Sequence, residues 1–182
     1  MKHLYSMEKG IQLIKLAEEH TIAFKEEMQE AFLRGFQAYN KDDGEDSNQW
    51  QVLPDEDFYQ SLRAEGAEDY EAVDADGQRV GGAIITIDNS THSGELAFLY
   101  VKVGVQSKGI GQSIWKAIEA MHPEVEVWET CTPYFDRRNI HFYINRCGFH
   151  AVEFFNEHHP DPHMPEQFDQ EDGLFKFEKR MK

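Results

Sequence analysis

The chain has 182 residues, 40% of them hydrophobic, and a formal net charge of −16. Such a length suits one domain with a full core. No apolar run approaches the roughly 18 residues of a membrane span, and no export signal is legible at the start. The excess of acids argues against nucleic acid as a partner, because phosphate binding needs Lys and Arg.

The acidity is unevenly placed. Residues 1–100 hold 21 acids and 8 bases, a net −13, whereas residues 101–182 hold 13 and 10, a net −3. A nearly neutral second half suits a polyanionic ligand. The first half attracts cations over a range set by screening, about 8 Å at physiological salt, though acidity also serves solubility alone. Cys131 and Cys147 are too few for a disulfide framework and read as reduced thiols of a cytoplasmic protein.

Met1 to Ser6 read as a poorly ordered leader. Gly10 to Ala17 alternates as a first strand, with Ile11 and Leu13 on one face. Thr21 is placed to cap a helix over 22–39, in which Phe24, Met28, Ala31, Phe32, Gly35, Phe36 and Tyr39 form one stripe. Such a stripe is core, or one wall of a substrate pocket. Asn40 to Gln51 is an acidic loop, with Asp42, Asp43, Glu45 and Asp46 around Gly44. Pro54 and the acids after it open a second helix carrying Phe58 and Leu62, which ends near Gly66. Tyr70 to Ile87 reads as two strands joined at the hairpin pair Asp76-Gly77.

Glu95 to Val103 is the next strand, and the alternation of Val101, Val103 and Val105 carries it toward a turn at Gly109 and Gly111. Apolar residues at 110, 114, 117, 118 and 121 then have helical spacing, up to Pro123. Val125 to Cys131 is a further strand. Asp136 caps a helix through Cys147, with Gly148 as its C′ residue. His150 to Phe155 is a strand, Asn156 to Gly173 a long loop, and Leu174 to Met181 the closing strand. No internal repeat is visible.

The stretch from 101 to 121 carries the chemistry. Backbone N–H groups at the opening of a helix are unpaired and bind anions, and glycine lets a ligand approach them closely. A P-loop needs a Gly-Lys-Ser/Thr ending, whereas here Lys108 precedes Gly109. A dinucleotide fingerprint needs a third glycine where this chain has Ile114. Gln106-Ser107-Lys108-Gly109-Ile110-Gly111 instead resembles the Gln/Arg-x-x-Gly-x-Gly/Ala signature of the GNAT superfamily of N-acetyltransferases. A second stretch, with Asn139, Phe142-Tyr143 and Gly148-Phe149, is similar to that family's Asn-x-x-x-x-Phe/Leu-Tyr-x-x-x-Gly-Phe helix, its spacing slightly shifted. The resemblance covers residues 80–155 well and the N-terminal part in outline.

The resemblance implies an α/β (α+β) fold, a central mixed, mostly antiparallel sheet of about seven strands flanked by about four helices. One domain would span 1–182, with a coenzyme core over about 95–150 and an acceptor side over about 10–94. The implied reaction is acetyl transfer from acetyl-coenzyme A to a primary amine, without a metal. Residues 106–111 would grip the pyrophosphate, Lys108 either meeting a phosphate or facing solvent. The backbone of Leu99, Val101 and Val103 would run beside the pantetheine, and Asn139 would contact the coenzyme. Tyr143 would protonate the departing sulfur, a phenol near pKa 10 serving a thiol near 8.5.

The base is open between Glu95, Glu129 and a water relay. Strict alternation puts Glu95 on the side of Ala97, Leu99 and Val101, but family members often carry the Glu nearer position 97. The acceptor is a small-molecule or protein amine, cationic by the acidity of the loop. Nucleic acid and membrane are not expected, and a homodimer is left open. His158, His159, Asp161 and His163 have metal-ligand residue types but no recognised ligand spacing. The competing classes are a coenzyme-A-binding regulatory module without turnover and an interaction protein that keeps only the fold.

Overall fold

The computed structural model of the protein describes residues 7–8, 10–39, 52–105, 109–163 and 173–182. The leader Met1–Ser6, the acidic loop 40–51 and Gln106-Ser107-Lys108 lie outside the described residues. In chain order the elements are β1 (Met7–Glu8), β2 (Ile11–Lys15), α1 (Thr21–Tyr39), α2 (Asp55–Arg63), β3 (Ala67–Val73), β4 (Arg79–Asp88), β5 (Ser93–Val101), α3 (Ile110–Met121), β6 (Val127–Pro133), α4 (Arg137–His141), β7 (His150–Phe155) and β8 (Leu174–Arg180). The sheet order is β1-β2-β3-β4-β5-β6-β8-β7, so the expected seven strands gain a two-residue edge piece. No helix among the described residues is long and apolar enough to cross a membrane.

Every strand pair is antiparallel except β5 and β6, which run parallel because α3 returns the chain to the same end of the sheet. Their pairing covers only Ser93↔Val127, Gly94↔Trp128 and Glu95↔Glu129. Beyond Glu95 the register ends, and the sheet is open between the two strands.

Two cores form on opposite faces. On one, α3 packs Ile114, Trp115 and Ile118 over Ala83, Ile85, Leu96, Trp128, Phe149 and Phe177. On the other, Phe24 and Met28 of α1 and Phe58 of α2 meet Ile84 and Tyr100; Phe24 stands edge-on to Tyr100 at 5.3 Å. The first turn of α2 holds Asp55, Glu56 and Asp57, and Asp55 is gripped from α1 by Lys25 (3.0 Å) and Gln29 (2.7 Å).

Several boundaries differ from the sequence reading. Thr21 is not a cap: a 3-10 turn over Glu18–His20 runs straight into α1, and Thr21 is its first residue. β3 begins at Ala67, three residues before Tyr70. The Asp76-Gly77 hairpin stands as expected, with Asp74 Oδ1 accepting from the Asp76 and Gln78 N–H groups. β5 ends at Val101, so Val103 is not a strand residue. The chain turns there, with the Val105 N–H on the Lys102 carbonyl (3.3 Å) and Gly104 at φ +88°.

A second correction concerns β5. Its register with β4 passes from Ile84↔Phe98 to Ile85↔Leu96, leaving Ala97 as a bulge. The extra residue moves every later side chain to the other face. Leu99 and Val101 therefore face α3 with Leu96, whereas Ala97 and Phe98 pack with Tyr100 on the α1 side. Glu95, paired with Thr86, is on that α1 side, not on the side of Leu99 and Val101.

Candidate active site

The split between β5 and β6 opens a cleft of about 140 Å³, lined by β5, α1, the start of α3 and the α4 region. Leu99, Val101, Gly111, Asn139 and Tyr143, separate in sequence, all line it. The Lys102 N–H donates to Val80 O across to β4 (2.8 Å). Alternation along a strand then turns the backbone groups of Tyr100 and Phe98 toward β4, and those of Val101 and Leu99 toward the open edge. That edge has main-chain donors and acceptors for an extended ligand.

At the far end of the cleft α3 begins. Gly109 is its N-cap, at φ +85°, and no side chain among the described residues caps the helix. A Cβ at Gly109 would meet nothing within 4 Å among the described residues. The first intrahelical bond runs from the Ser113 N–H to Gly109 O (2.9 Å). The N–H groups of Ile110, Gly111 and Gln112 are thus without helical partners and carry the positive end of the helix dipole. Gly111 is needed for a different reason: its missing Cβ would lie 3.2 Å from the Phe142 ring. Ile110 is buried and anchors the turn into the core.

Tyr143 is placed by an unexpected feature. α4 is only five residues long and continues as a π-helical turn over Phe142–Arg146, closed by the Cys147 N–H on Phe142 O (3.0 Å). Asp136 caps α4 as expected, accepting from the Asn139 N–H at 3.1 Å, and Gly148 takes φ +82° beyond it. Tyr143 is 5% exposed, against Phe149 (5.7 Å) and Phe177 (6.0 Å), and still lines the cleft. Burial pushes its phenol well above the ordinary 10, Cys147 adds to this, and the Thr130 hydroxyl pulls back. Tyr143 is thus held as a neutral phenol, a hydrogen-bond donor over the whole working range. The Asn139 amide donates to Asp136 Oδ2 (2.8 Å), so in this structure it braces the cap.

The α1 stripe divides. Phe24 and Met28 are fully buried, whereas Ala31, Phe32 and Gly35 wall the cleft, Phe32 lying 5.9 Å from Phe98. Sequence reasoning missed Arg138, an exposed cation at the cleft, and Phe142. Arg138 directly precedes Asn139 of the second motif, and a cation next to that motif was the available signal.

Glu95 is not among the cleft-lining residues. It is exposed on the α1 side, yet the protein around it raises its carboxyl above the ordinary value, with the Glu129 carboxylate adding and Lys176 opposing. Glu129 is paired with Lys176 at 3.1 Å. Cys131, on the same surface, is a free and exposed thiol; desolvation against the sheet, then Glu95 and Asp161, push it up to about 12. Glu95 and Glu129 are paired across β5 and β6, and Asp161 and Lys176 are near enough to act on Glu95 electrostatically. Cys147 is the other free thiol, buried. Of the histidine-rich loop, His158 meets Glu157 (3.2 Å) and His159 meets Glu153 (2.9 Å). Among the described residues no three His, Cys, Asp or Glu side chains are placed to hold a metal ion.

This architecture has many counterparts. The model of the "Acetyltransferase (GNAT) family" matches residues 15–149. The uncharacterized protein YrkN of Bacillus subtilis (strain 168) is 41% identical over 179 residues, covering 93% of this chain and 94% of that one. An acetyltransferase of Bacillus subtilis solved with CoA superposes with a TM-score of 0.62 at 18% identity, covering 94% of this chain and 98% of that one. Spermidine N-acetyltransferase from Vibrio cholerae, solved with CoA and spermine, gives 0.64 at 12% identity, with 95% and 96% covered. At such identities the solved structures establish the fold, a mixed sheet flanked by four helices. The family match over residues 15–149 brings the strand, the glycine turn and the tyrosine-bearing helix under one description, and the chain belongs to the GNAT acetyltransferase family.

Proposed function

We propose that the protein transfers an acetyl group from acetyl-coenzyme A to a cationic primary amine by direct attack, with Tyr143 as general acid. The observation that carries this reading is the meeting, in one cleft, of the open β5 edge, the uncapped start of α3 and the neutral phenol of Tyr143. The chain acts as one catalytic domain, with its coenzyme core over about 95–150.

The residues present fit acetyl-coenzyme A. The space at Gly109, open among the described residues, and the N–H groups of Ile110 and Gly111, which have no helical partner, suit a pyrophosphate. Main-chain groups of Leu99 and Val101 suit the amides of a pantetheine arm, and Asn139 borders the same cleft. When bound, the coenzyme supplies an activated thioester. Leu99 and Val101 then orient it and offer an N–H to its carbonyl oxygen. Tyr143 holds a proton for the sulfur. Its raised pKa favours hydrogen-bond donation to a developing thiolate over complete transfer.

Three carboxylates near one another, Glu95, Glu129 and Asp161, with Lys176 among them, favour a cationic acceptor. The raised pKa of Glu95 makes it a better proton acceptor than an ordinary carboxylate, and, standing outside the cleft, it would act through water. An enzyme with spermine bound among the structural neighbours supports an amine of this class. The test is free-thiol release from acetyl-coenzyme A across spermidine, spermine, amino sugars, amino acid amides and N-terminal peptides. Fast release with one class is expected. Coenzyme binding by calorimetry with no release for any amine would make the protein a regulatory module.

A further inference from the structure

Phe36 of the α1 stripe belongs to neither core and does not itself line the cleft. It lies one turn beyond Phe32, on the same side of the helix. Phe32 leans on Phe98 of β5, with 5.9 Å between ring centroids. Phe36 stands edge-on to Phe135, in the connection after β6, at 5.4 Å. The last turns of α1 therefore reach across the split between β5 and β6, with one ring on each lip. Gly35 and Asp136, the chain neighbours of Phe36 and Phe135, both line the cleft, so its two walls meet at this pair of rings. Both rings are half-buried.

The two faces of the split differ. Tyr143 packs into the core under α3, and Leu99 and Val101 face the same way. Phe36 and Phe135 meet on the α1 face, the side on which Glu95 stands. A coenzyme held by the start of α3 and the β5 edge leaves the α1 face to the nucleophile. We infer that Phe36 and Phe135 form a gate on the acceptor's path, closed in this structure and parted by the incoming amine. The inference rests on the acetyl transfer proposed above. In that transfer the amine nitrogen bonds to the carbonyl carbon, the C–S bond breaks, and the proton the nitrogen sheds balances the one the sulfur gains. Water in the amine's place would leave acetate, a proton and the coenzyme thiol. Rings in contact keep water from that position. Neither ring is locked in a core, so parting them sacrifices little beyond their own contact. A slim stem passes between parted rings more readily than one branched beside the nitrogen. The gate thus selects primary amines carried on an unbranched carbon.

The experiment compares wild type with Phe36→Ala, using n-butylamine and its isomer sec-butylamine, which is branched beside the nitrogen. Calorimetry on protein loaded with the coenzyme thiol reads amine binding without turnover. Wild type is expected to bind n-butylamine about tenfold more tightly, the size of a one-carbon steric discrimination, and Phe36→Ala to lose that preference. Without amine, Phe36→Ala is expected to release thiol and acetate from acetyl-coenzyme A about tenfold faster than wild type, as a site opened to water would, at unchanged coenzyme affinity. Phe36→Tyr, which keeps the ring, should behave as wild type. If Phe36→Ala does not fold, Phe135→Ala, on the opposite lip, carries the same test. A variant that binds coenzyme yet keeps both the amine preference and the slow hydrolysis of wild type would make the rings packing alone and overturn the gate. Wild type that binds no coenzyme would instead overturn the acetyl-transfer reading, and the gate with it, so the two failures are distinguishable.

Discussion

Gly109 and Gly111 lie two positions apart and are required for unrelated reasons. Gly109 has a left-handed backbone that a side chain strains, and faces open space; Gly111 is pressed against a ring. Gly109→Glu puts a carboxylate where a diphosphate would lie, so calorimetry should show coenzyme affinity falling at least about tenfold, an ion-pair-sized penalty. Unchanged affinity would take the turn out of the site. Gly111→Ala should weaken binding less, by shifting Phe142. Tyr143→Phe should lower kcat about a hundredfold, within the usual range for a lost general acid, at nearly unchanged coenzyme affinity. An unaltered rate would return Tyr143 to the core. Because burial raises its pKa, Tyr143 is protonated below its ordinary 10 and above it. The kcat profile of the wild type should therefore show no alkaline fall due to this group between about pH 7 and 10.

Elements are held in place by side chains the motif does not contain. Glu27 of α1 accepts from Arg79 Nε (2.7 Å) and Nη2 (3.0 Å), from the Tyr100 hydroxyl (2.9 Å), and pairs with Lys102 (3.3 Å). Arg79 also binds the buried Glu71, which His20 reaches at 3.0 Å. This network fixes α1 against β4 and β5, and so sets the wall formed by Phe32 and Gly35. Burial would raise the Glu27 carboxyl, but Arg79, Tyr100 and Lys102 together hold it below its ordinary 4.5. A depressed pKa adds stability fully present above the unfolded value and lost as pH falls through the folded one. Glu27→Gln should thus cost about 2 kcal/mol at pH 7, and the difference from wild type in denaturant melts should shrink below about pH 4. A pH-independent difference would mean that packing, not charge, holds the helix. The β5 bulge and the π turn were not legible in sequence for one reason. Leu96-Ala97-Phe98-Leu99 is apolar throughout, and Ile140 to Ile144 is compatible with either helical pitch, so neither stretch carries a phase that marks an extra residue.

Over the whole molecule, charge separates two kinds of binding. On the proposed function the −13 of residues 1–100 would draw a cationic acceptor, and the nearly neutral remainder would repel a polyanionic coenzyme little. Raising ionic strength from about 0.01 M to 0.1 M shortens the screening length from about 30 Å to 10 Å. KM for a polyamine acceptor should rise several-fold over that interval, whereas KM for acetyl-coenzyme A should stay level or fall. Parallel rises in both would show that the acidity steers nothing. The sequence by itself determined the order of strands and helices, the glycine turn, the Asp136 cap and the Asp76-Gly77 hairpin, because each depends on residues within a few positions of one another. It also named Leu99, Val101, Gly111, Asn139 and Tyr143 before their meeting was visible. Only the tertiary structure decided that β5 and β6 part after Glu95 and that the bulge turns Glu95 away from Leu99 and Val101. Those outcomes depend on register between paired strands, and register is chosen by how both faces pack at once.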